Sequence, residues 1–279
     1  LLQERVPKRA TQYLHAAQAP TVDDASQGNE TKLRVFTDPD RRRPAVQLLS
    51  NGRYHVMVSN AGGGYSRCND MAVTRWREDI ASDSLGTFCY LRDVASGHFW
   101  STTYQPTQHR AHSQETVFTD ARAEFRVREF NFDCHTEIVV SPEDDIELRR
   151  LHLTNRARTR RTLELTSYAE VVLASAISDA LHPAFSKLFV QTELVRPLQA
   201  ILCSRRPRAS DEAVPWMCHL LAAHGADIEQ ISYETDRARF IGRGRTLQAP
   251  AALTDTCEQL SGTAVAVLDP IVDIRCRIS

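Results

Sequence analysis

Lysine is nearly absent from this sequence: only Lys8, Lys32 and Lys187 occur, and arginine carries the rest of the positive charge. Arginine-rich surfaces suit planar recognition of hydroxyls and carboxylates, although GC-rich coding alone produces the same bias. No excess of either sign exists, with 34 basic against 35 acidic residues. A global field that would draw the chain to nucleic acid is thereby excluded, and no nucleic-acid partner is expected. Seven cysteines are scattered without a CxxC pair, which argues against a disulfide framework or a zinc site. No metal and no cofactor are expected, and free thiols suit a reducing compartment. Long apolar runs are missing too: none approaches the roughly 18 residues that span a bilayer. Residues 1–10 mix charges among their apolar positions and lack the core of a signal peptide. A cytoplasmic location is expected, although a piece of a larger membrane protein would read the same way. Phosphate-binding GxxxxGKS loops, HExxH and GxSxG are all absent, which removes several nucleotide, zinc-protease and serine-hydrolase classes.

Helical periodicity is also scarce, and what replaces it is alternation. After a polar, proline-punctuated stretch (residues 1–44, with Pro7, Pro20, Pro39 and Pro44) that reads as a linker, strand signals begin at Val46. Asn51-Gly52 between 46–49 and 54–58 predicts a hairpin with a type I′ turn. Residues 88–94 and 98–103 predict a second hairpin. Residues 136–140 and 146–153 predict a third, across Pro142-Glu143-Asp144-Asp145. Leu163, Leu165, Ala169 and Val171 alternate with Glu164, Thr166, Tyr168 and Glu170, which predicts one buried and one wetter face. A short helical turn is expected over 178–187, interrupted at Pro183. Further strands are expected at 188–194, 200–204, 216–222, 231–234, 239–241 and 264–275. The count and spacing predict an all-β fold of antiparallel sheets stacked as one large sandwich over residues 45–279.

Three consecutive glycines, Gly62 to Gly64, are the most unusual local feature. Glycine lets backbone approach a neighbour closely or take positive φ, and a mobile loop carrying Tyr65 and Ser66 at its tip is one expectation. Asp70, Arg75, Trp76, Arg77 and Asp79 combine charges with an aromatic, the chemistry that recognises sugars; ion pairs beside a core Trp look identical in sequence. His152, Glu170 and His182 are the candidates for acid–base chemistry of a sugar epimerase.

Five segments occur in order: Leu-Ser-Asn-Gly-Arg-Tyr (49–54), Ala-Gly-Gly-Gly-Tyr-Ser (61–66), Ala-Val-Thr-Arg-Trp-Arg-Glu-Asp (72–79), Gly-Thr-Phe-Cys-Tyr-Leu-Arg-Asp (86–93) and Phe-Trp-Ser-Thr (99–102). Together they resemble the front of the supersandwich domain of glycoside hydrolase family 94, formerly glycosyltransferase family 36. Residues 182–189, 239–245 and 267–271 are similar to its cyclic β-1,2-glucan synthase branch. The resemblance implies a galactose-mutarotase-like β-supersandwich. It also implies that an (α/α)₆ barrel of the same polypeptide, outside these 279 residues, carries the general acid and the phosphate site. The chain itself would then be non-catalytic, shaping a site for a β-glucan oligosaccharide and contributing to a homodimer. Gly63, Gly64, Tyr65, Ser66, Asp70, Arg75 and Arg77 are the residues that the resemblance assigns to the substrate edge, with Cys68 where the motif would hold an aromatic. The segment 182–185 and the strand of Tyr168 and Glu170 are the alternatives for a face turned to the barrel. The cytoplasmic face of a bacterial inner membrane is the location it implies. Two rivals remain, a free-standing aldose epimerase on the same fold and a purely structural oligomerisation domain.

Overall fold

The computed structural model describes residues 33–79, 81–207, 209, 212–255 and 259–279; Cys257 and most of the expected linker lie outside them. Three antiparallel sheets form two layers. The long sheet runs in the order β16 (Ile228–Asp236), β17 (Pro270–Ile278), β12 (Leu163–Ser175), β5 (Met71–Thr74), β4 (Gly64–Cys68), β3 (Tyr54–Ser59) and β2 (Val46–Ser50). The hairpin of β6 (Phe88–Asp93) and β7 (Phe99–Ser101) joins it through β12. A five-stranded sheet, β1 (Arg34–Phe36), β8 (Ser113–Thr119), β9 (Arg122–Glu129), β10 (Phe132–Val140) and β11 (Glu147–Asn155), lies over part of one face. A three-stranded sheet, β13 (Val190–Val195), β14 (Ala200–Arg205) and β15 (Trp216–Leu220), lies over another part of that face.

The core follows the period of two. Val56, Val58 and Val73 of the long sheet pack against Phe118, Phe125 and Ile138 of the five-stranded sheet. Val171, Val272 and Ile274 meet Val190 and Ile201 of the three-stranded sheet. Burial on that scale, about 25 cal/mol per Å² of apolar surface, dominates the favourable side of folding. The opposite face of the long sheet is closed by α3 (Arg237–Ile241) and α4 (Ala251–Thr254), whose Phe240 and Leu253 cover Phe88, Tyr90, Tyr168 and Ile271.

Several expectations are corrected. Residues 239–241 are helical: the Asp236 side chain caps α3 by accepting from Ala238 N at 2.9 Å, and Gly242 ends it. The last strand begins only at Pro270. Residues 34–36, inside the expected linker, pair with β8. In the first hairpin only Gly52 has positive φ (+93°). Asn51 instead caps the turn, its Oδ1 accepting from Arg53 N and Tyr54 N at 3.0 and 2.8 Å, while its amide ties Ser141 and Asp144. The wetter face of β12 does not exist, because Glu164, Thr166, Tyr168 and Glu170 are all buried. Arg92 of β6 and Arg277 of β17 clamp Glu164 from both sides at 3.1 and 2.6 Å, so neighbouring strands supply the charge compensation that burial requires.

Candidate functional site

The glycines make a packed turn rather than a mobile loop. Ser59 N donates to Gly63 O at 2.7 Å, and Gly64 N donates to Leu85 O at 2.9 Å. Gly62 takes φ +100°, and a Cβ there would lie 2.3 Å from Thr103 Oγ1. At Gly63 and Gly64 a Cβ would meet the backbone oxygens of Asp83 and Met57 at 2.3 and 1.9 Å. Close approach thus explains all three. The turn launches β4, so Tyr65 and Ser66 sit within a strand and not at a tip. Their side chains point to opposite faces. Ser66 is buried and donates to the Glu147 carboxylate. Half-buried Tyr65 rests against Trp76, with ring centroids 5.7 Å apart. Asp70 is fully exposed at the far end of the β4–β5 hairpin, about 16 Å of strand from Tyr65, and among the described residues its carboxylate pairs only with Arg67, at 3.3 Å. It does not join the others.

Arg75 does something different from what its neighbourhood in sequence suggests. Its side chain is buried and binds three carboxylates: Glu170 (Nη1–Oε2, 2.6 Å), Asp179 (Nε–Oδ2, 3.1 Å; Nη2–Oδ1, 3.3 Å) and Asp269 (3.5 Å). Asp179 lies on α1 (Ala176–Leu181), which Ser175 caps directly after β12. A bulge in β12, with Leu173 at φ +51°, turns the strand toward that helix. Glu170 also holds Arg237 at 2.7 Å and accepts from Tyr168 OH at 3.0 Å. Lys187 of α2 (Pro183–Lys187) closes the set on Asp269 at 2.7 Å. Glu170, Asp179 and Asp269 therefore balance Arg75, Arg237 and Lys187. Burial works against ionisation of Glu170, yet Arg237 and Arg75 outweigh it and hold the carboxyl below its usual range. Burial likewise opposes the charge on Arg75, and Asp179 and Glu170 outweigh that too.

Beside this cluster, and sharing Lys187 and Asp269 with it, lies a shallow groove of about 550 Å³ also lined by Arg77, Pro183, Ala184, Leu188 and Leu268. Arg77 is exposed and forms no ion pair among the described residues. Ile177, Leu181 and Leu268 stand out, 73%, 67% and 78% exposed. The acid–base candidates do not converge: His152 is on the outer face of β11, His182 is exposed between α1 and α2, and Glu170 is saturated by arginines. Among the described residues, Glu124, His135 and Glu137 form one cluster with metal-ligand spacing, their ligand atoms within 4.8 Å of one another. Arg122 and Arg126 already bind Glu124, and Arg122 and Arg150 bind Glu137. Arg75 and Glu170 stand out in the sequence separately; Asp179, Lys187, Arg237 and Asp269 do not stand out as their partners, because only the folded topology brings three distant carboxylate-bearing segments to one cation.

A long sheet covered unequally by two smaller antiparallel sheets, with its other face closed by short helices, is the architecture of a β-supersandwich domain. Residues 29–279 match the family described as Glycosyl hydrolase 94, supersandwich domain, and the chain belongs to it. It is 39% identical over 277 residues to the cyclic beta-(1,2)-glucan synthase NdvB of Rhizobium meliloti (strain 1021), covering 99% of this chain and 10% of that protein. It is 25% identical over 235 residues to N,N'-diacetylchitobiose phosphorylase of Vibrio furnissii, covering 81% of this chain and 28% of the relative. The corresponding phosphorylase of Vibrio proteolyticus is 27% identical over 159 residues, 54% of this chain and 20% of the relative. The chain thus spans about a tenth to under a third of the length of these relatives. Among the described residues no helix is long and apolar enough to cross a membrane.

Proposed function

We propose that this domain works non-catalytically within a larger enzyme that synthesises or trims a β-glucan, with cyclic β-1,2-glucan the favoured product class. The observation that carries this reading is the Arg75 cluster. It locks β5, β12, α1, α2, α3 and the start of β17 into one rigid wall, every charge of which is engaged in holding structure. The wall presents Tyr65, Trp76 and Arg77 beside the α1–α2 groove. An aromatic pair packs on the apolar face of a sugar ring, and a free guanidinium takes up its hydroxyls. Arg75, Ser66, Gly63 and Gly64 support that edge from behind, as positioning residues. The exposed apolar residues of α1–α2 form the face that packs on a helical catalytic barrel of the same polypeptide. Free cysteines accord with the cytoplasmic face of a bacterial inner membrane.

Calorimetric titration with linear β-1,2-gluco-oligosaccharides, using cello-oligosaccharides as control, tests the reading. Saturable binding weakened by Arg77→Ala or Tyr65→Ala is expected. Phosphorolysis of a β-glucan, or mutarotation of an aldose, by the 279-residue chain would overturn the non-catalytic role. A domain that dimerises in sedimentation and binds no glycan would leave only a structural role.

A further inference from the structure

The two smaller sheets differ in how they meet solvent. On the outer face of the five-stranded sheet the charges are cross-paired: Arg122 with Glu124 and Glu137, Arg126 with Glu115 and Glu124, Arg128 with Asp133, Arg150 with Glu137. Among the described residues, the outer face of the three-stranded sheet has no such pairing. Gln191, Ser204 and Trp216 are directly opposite one another across β13, β14 and β15, so their side chains share that face in a single row. Trp216 is 63% exposed. Among the described residues it stacks on no other ring, and Gln191, Ser204 and the exposed carboxylate of Glu193 have no hydrogen-bond or ion-pair partner. Neighbouring strands are about 4.8 Å apart, so this row spans about 10 Å, room for two sugar rings side by side.

We propose that this face is a second carbohydrate-binding platform, with Trp216 stacking on a pyranose ring and Gln191, Ser204 and Glu193 bonding its hydroxyls. It rests on the glucan reading above for the class of sugar, a β-linked gluco-oligosaccharide, but uses none of the same residues. Two features favour a glycan over a protein. Interface cores are depleted in Glu and Ser, whereas Ser204 sits in the middle of this row and Glu193 beside it; Leu202, Cys218 and the exposed Leu220 continue the same face and offer apolar surface to the flanks of a ring. The flat face, three strands by five residues, offers about 250 Å², well short of the roughly 800 Å² that each partner of a stable dimer contributes. A small rigid ligand needs far less. The platform would hold a growing or cyclised glucan away from the Tyr65 edge.

Only three tryptophans are present, and Trp100 is 1% exposed, so a ligand-induced change in intrinsic fluorescence reports on Trp216 and Trp76 against a constant Trp100 background. The expected result is a saturable blue shift of the whole chain with short linear β-1,2-gluco-oligosaccharides. Trp216→Ala should remove the Trp216 component and leave only the change at Trp76, while in calorimetric titration Trp216→Phe should keep part of the platform's affinity and Gln191→Ala with Ser204→Ala should weaken it at least about tenfold. Thermal midpoints should hold, since these side chains point to solvent. Binding that persists unchanged in Trp216→Ala but disappears in Tyr65→Ala would overturn the platform and leave the Tyr65 edge standing. The reverse pattern would keep the platform and remove that edge. A wild-type chain whose emission does not respond to the sugar, or a Trp216-dependent dimer in sedimentation without sugar binding, overturns it as well.

Discussion

Arg75 and Arg77 are two residues apart, yet they belong to different physics. Removing the Arg75 side chain, as in Arg75→Leu, strands Glu170 and Asp179 in a buried position without their shared cation. A loss of about 3–5 kcal/mol in urea denaturation is expected, whereas Arg77→Ala should stay within about 0.5 kcal/mol. Protonation attacks the same cluster. Glu170 titrates below its unfolded value in the fold, so its contribution is present above about pH 4.3 and is lost as pH falls toward the folded value. Asp273 runs the other way. It is fully buried beside its cross-strand neighbour Glu234, and neither of its carboxylate oxygens has a hydrogen-bond partner. Burial pushes its carboxyl well above the usual range, with Arg275 opposing and Glu234 adding to the shift. Stability from the protonated Asp273 is complete below about pH 3.9 and is lost as pH rises toward the folded value. Asp273→Asn should therefore gain stability relative to the wild type as pH increases from about 5 to 8. Thermal midpoints measured across that range check it, and a pH-independent difference would show that Asp273 is ionised and held by a partner.

At the scale of elements, the glycine turn and the bulge of β12 decide where side chains face. Gly64→Ala forces a Cβ to within 1.9 Å of Met57 O, and backbone on the central sheet has little freedom to yield. Gly62→Ala adds a left-handed φ to a clash with Thr103. Each should cost about 1–3 kcal/mol or more and lower the thermal midpoint. Gly52→Ala meets no neighbouring atom and should lose only the roughly 1 kcal/mol of its positive φ. The period of two made β3, β9, β10 and β11 legible in sequence, since the first three bury apolar residues at alternate positions and β11 alternates half-buried with exposed ones. It failed for residues 239–241, where three residues cannot distinguish a strand from a helical turn, although Asp236 and Gly242 were standing as caps. It failed for β12 because the partners that allow Glu164 to be buried, Arg92 and Arg277, are 72 and 113 residues away in the chain. The glycine segment was legible as special but not as rigid, since Thr103, Asp83 and Met57 become its neighbours only in the fold. Of the candidate residues, Arg77 is exposed and Tyr65 half-buried, while Ser66 and Arg75 turn inward, which their spacing in sequence does not reveal.

On the scale of the whole molecule, the long sheet is closed on one face by two sheets and on the other by α3 and α4, which leaves α1–α2 as the apolar rim. Ile177, Leu181 and Leu268 are among the most exposed large apolar side chains described, yet they surround a rigid, internally neutral charge cluster. Surfaces of this kind mark association sites. Because these side chains bury little within the domain, charging them should leave folding intact: Leu181→Asp with Ile177→Asp should shift stability by no more than about 0.5 kcal/mol each. Association should change instead. At high concentration the unmodified chain is expected to self-associate through this rim, and the double variant should sediment as a monomer under the same conditions. In a longer polypeptide that carries the proposed helical barrel, the same pair should loosen the domain contact and raise protease sensitivity at the junction. An unaltered sedimentation profile together with unaltered proteolysis would show that the rim is simply solvated, and that the domain meets its neighbours elsewhere.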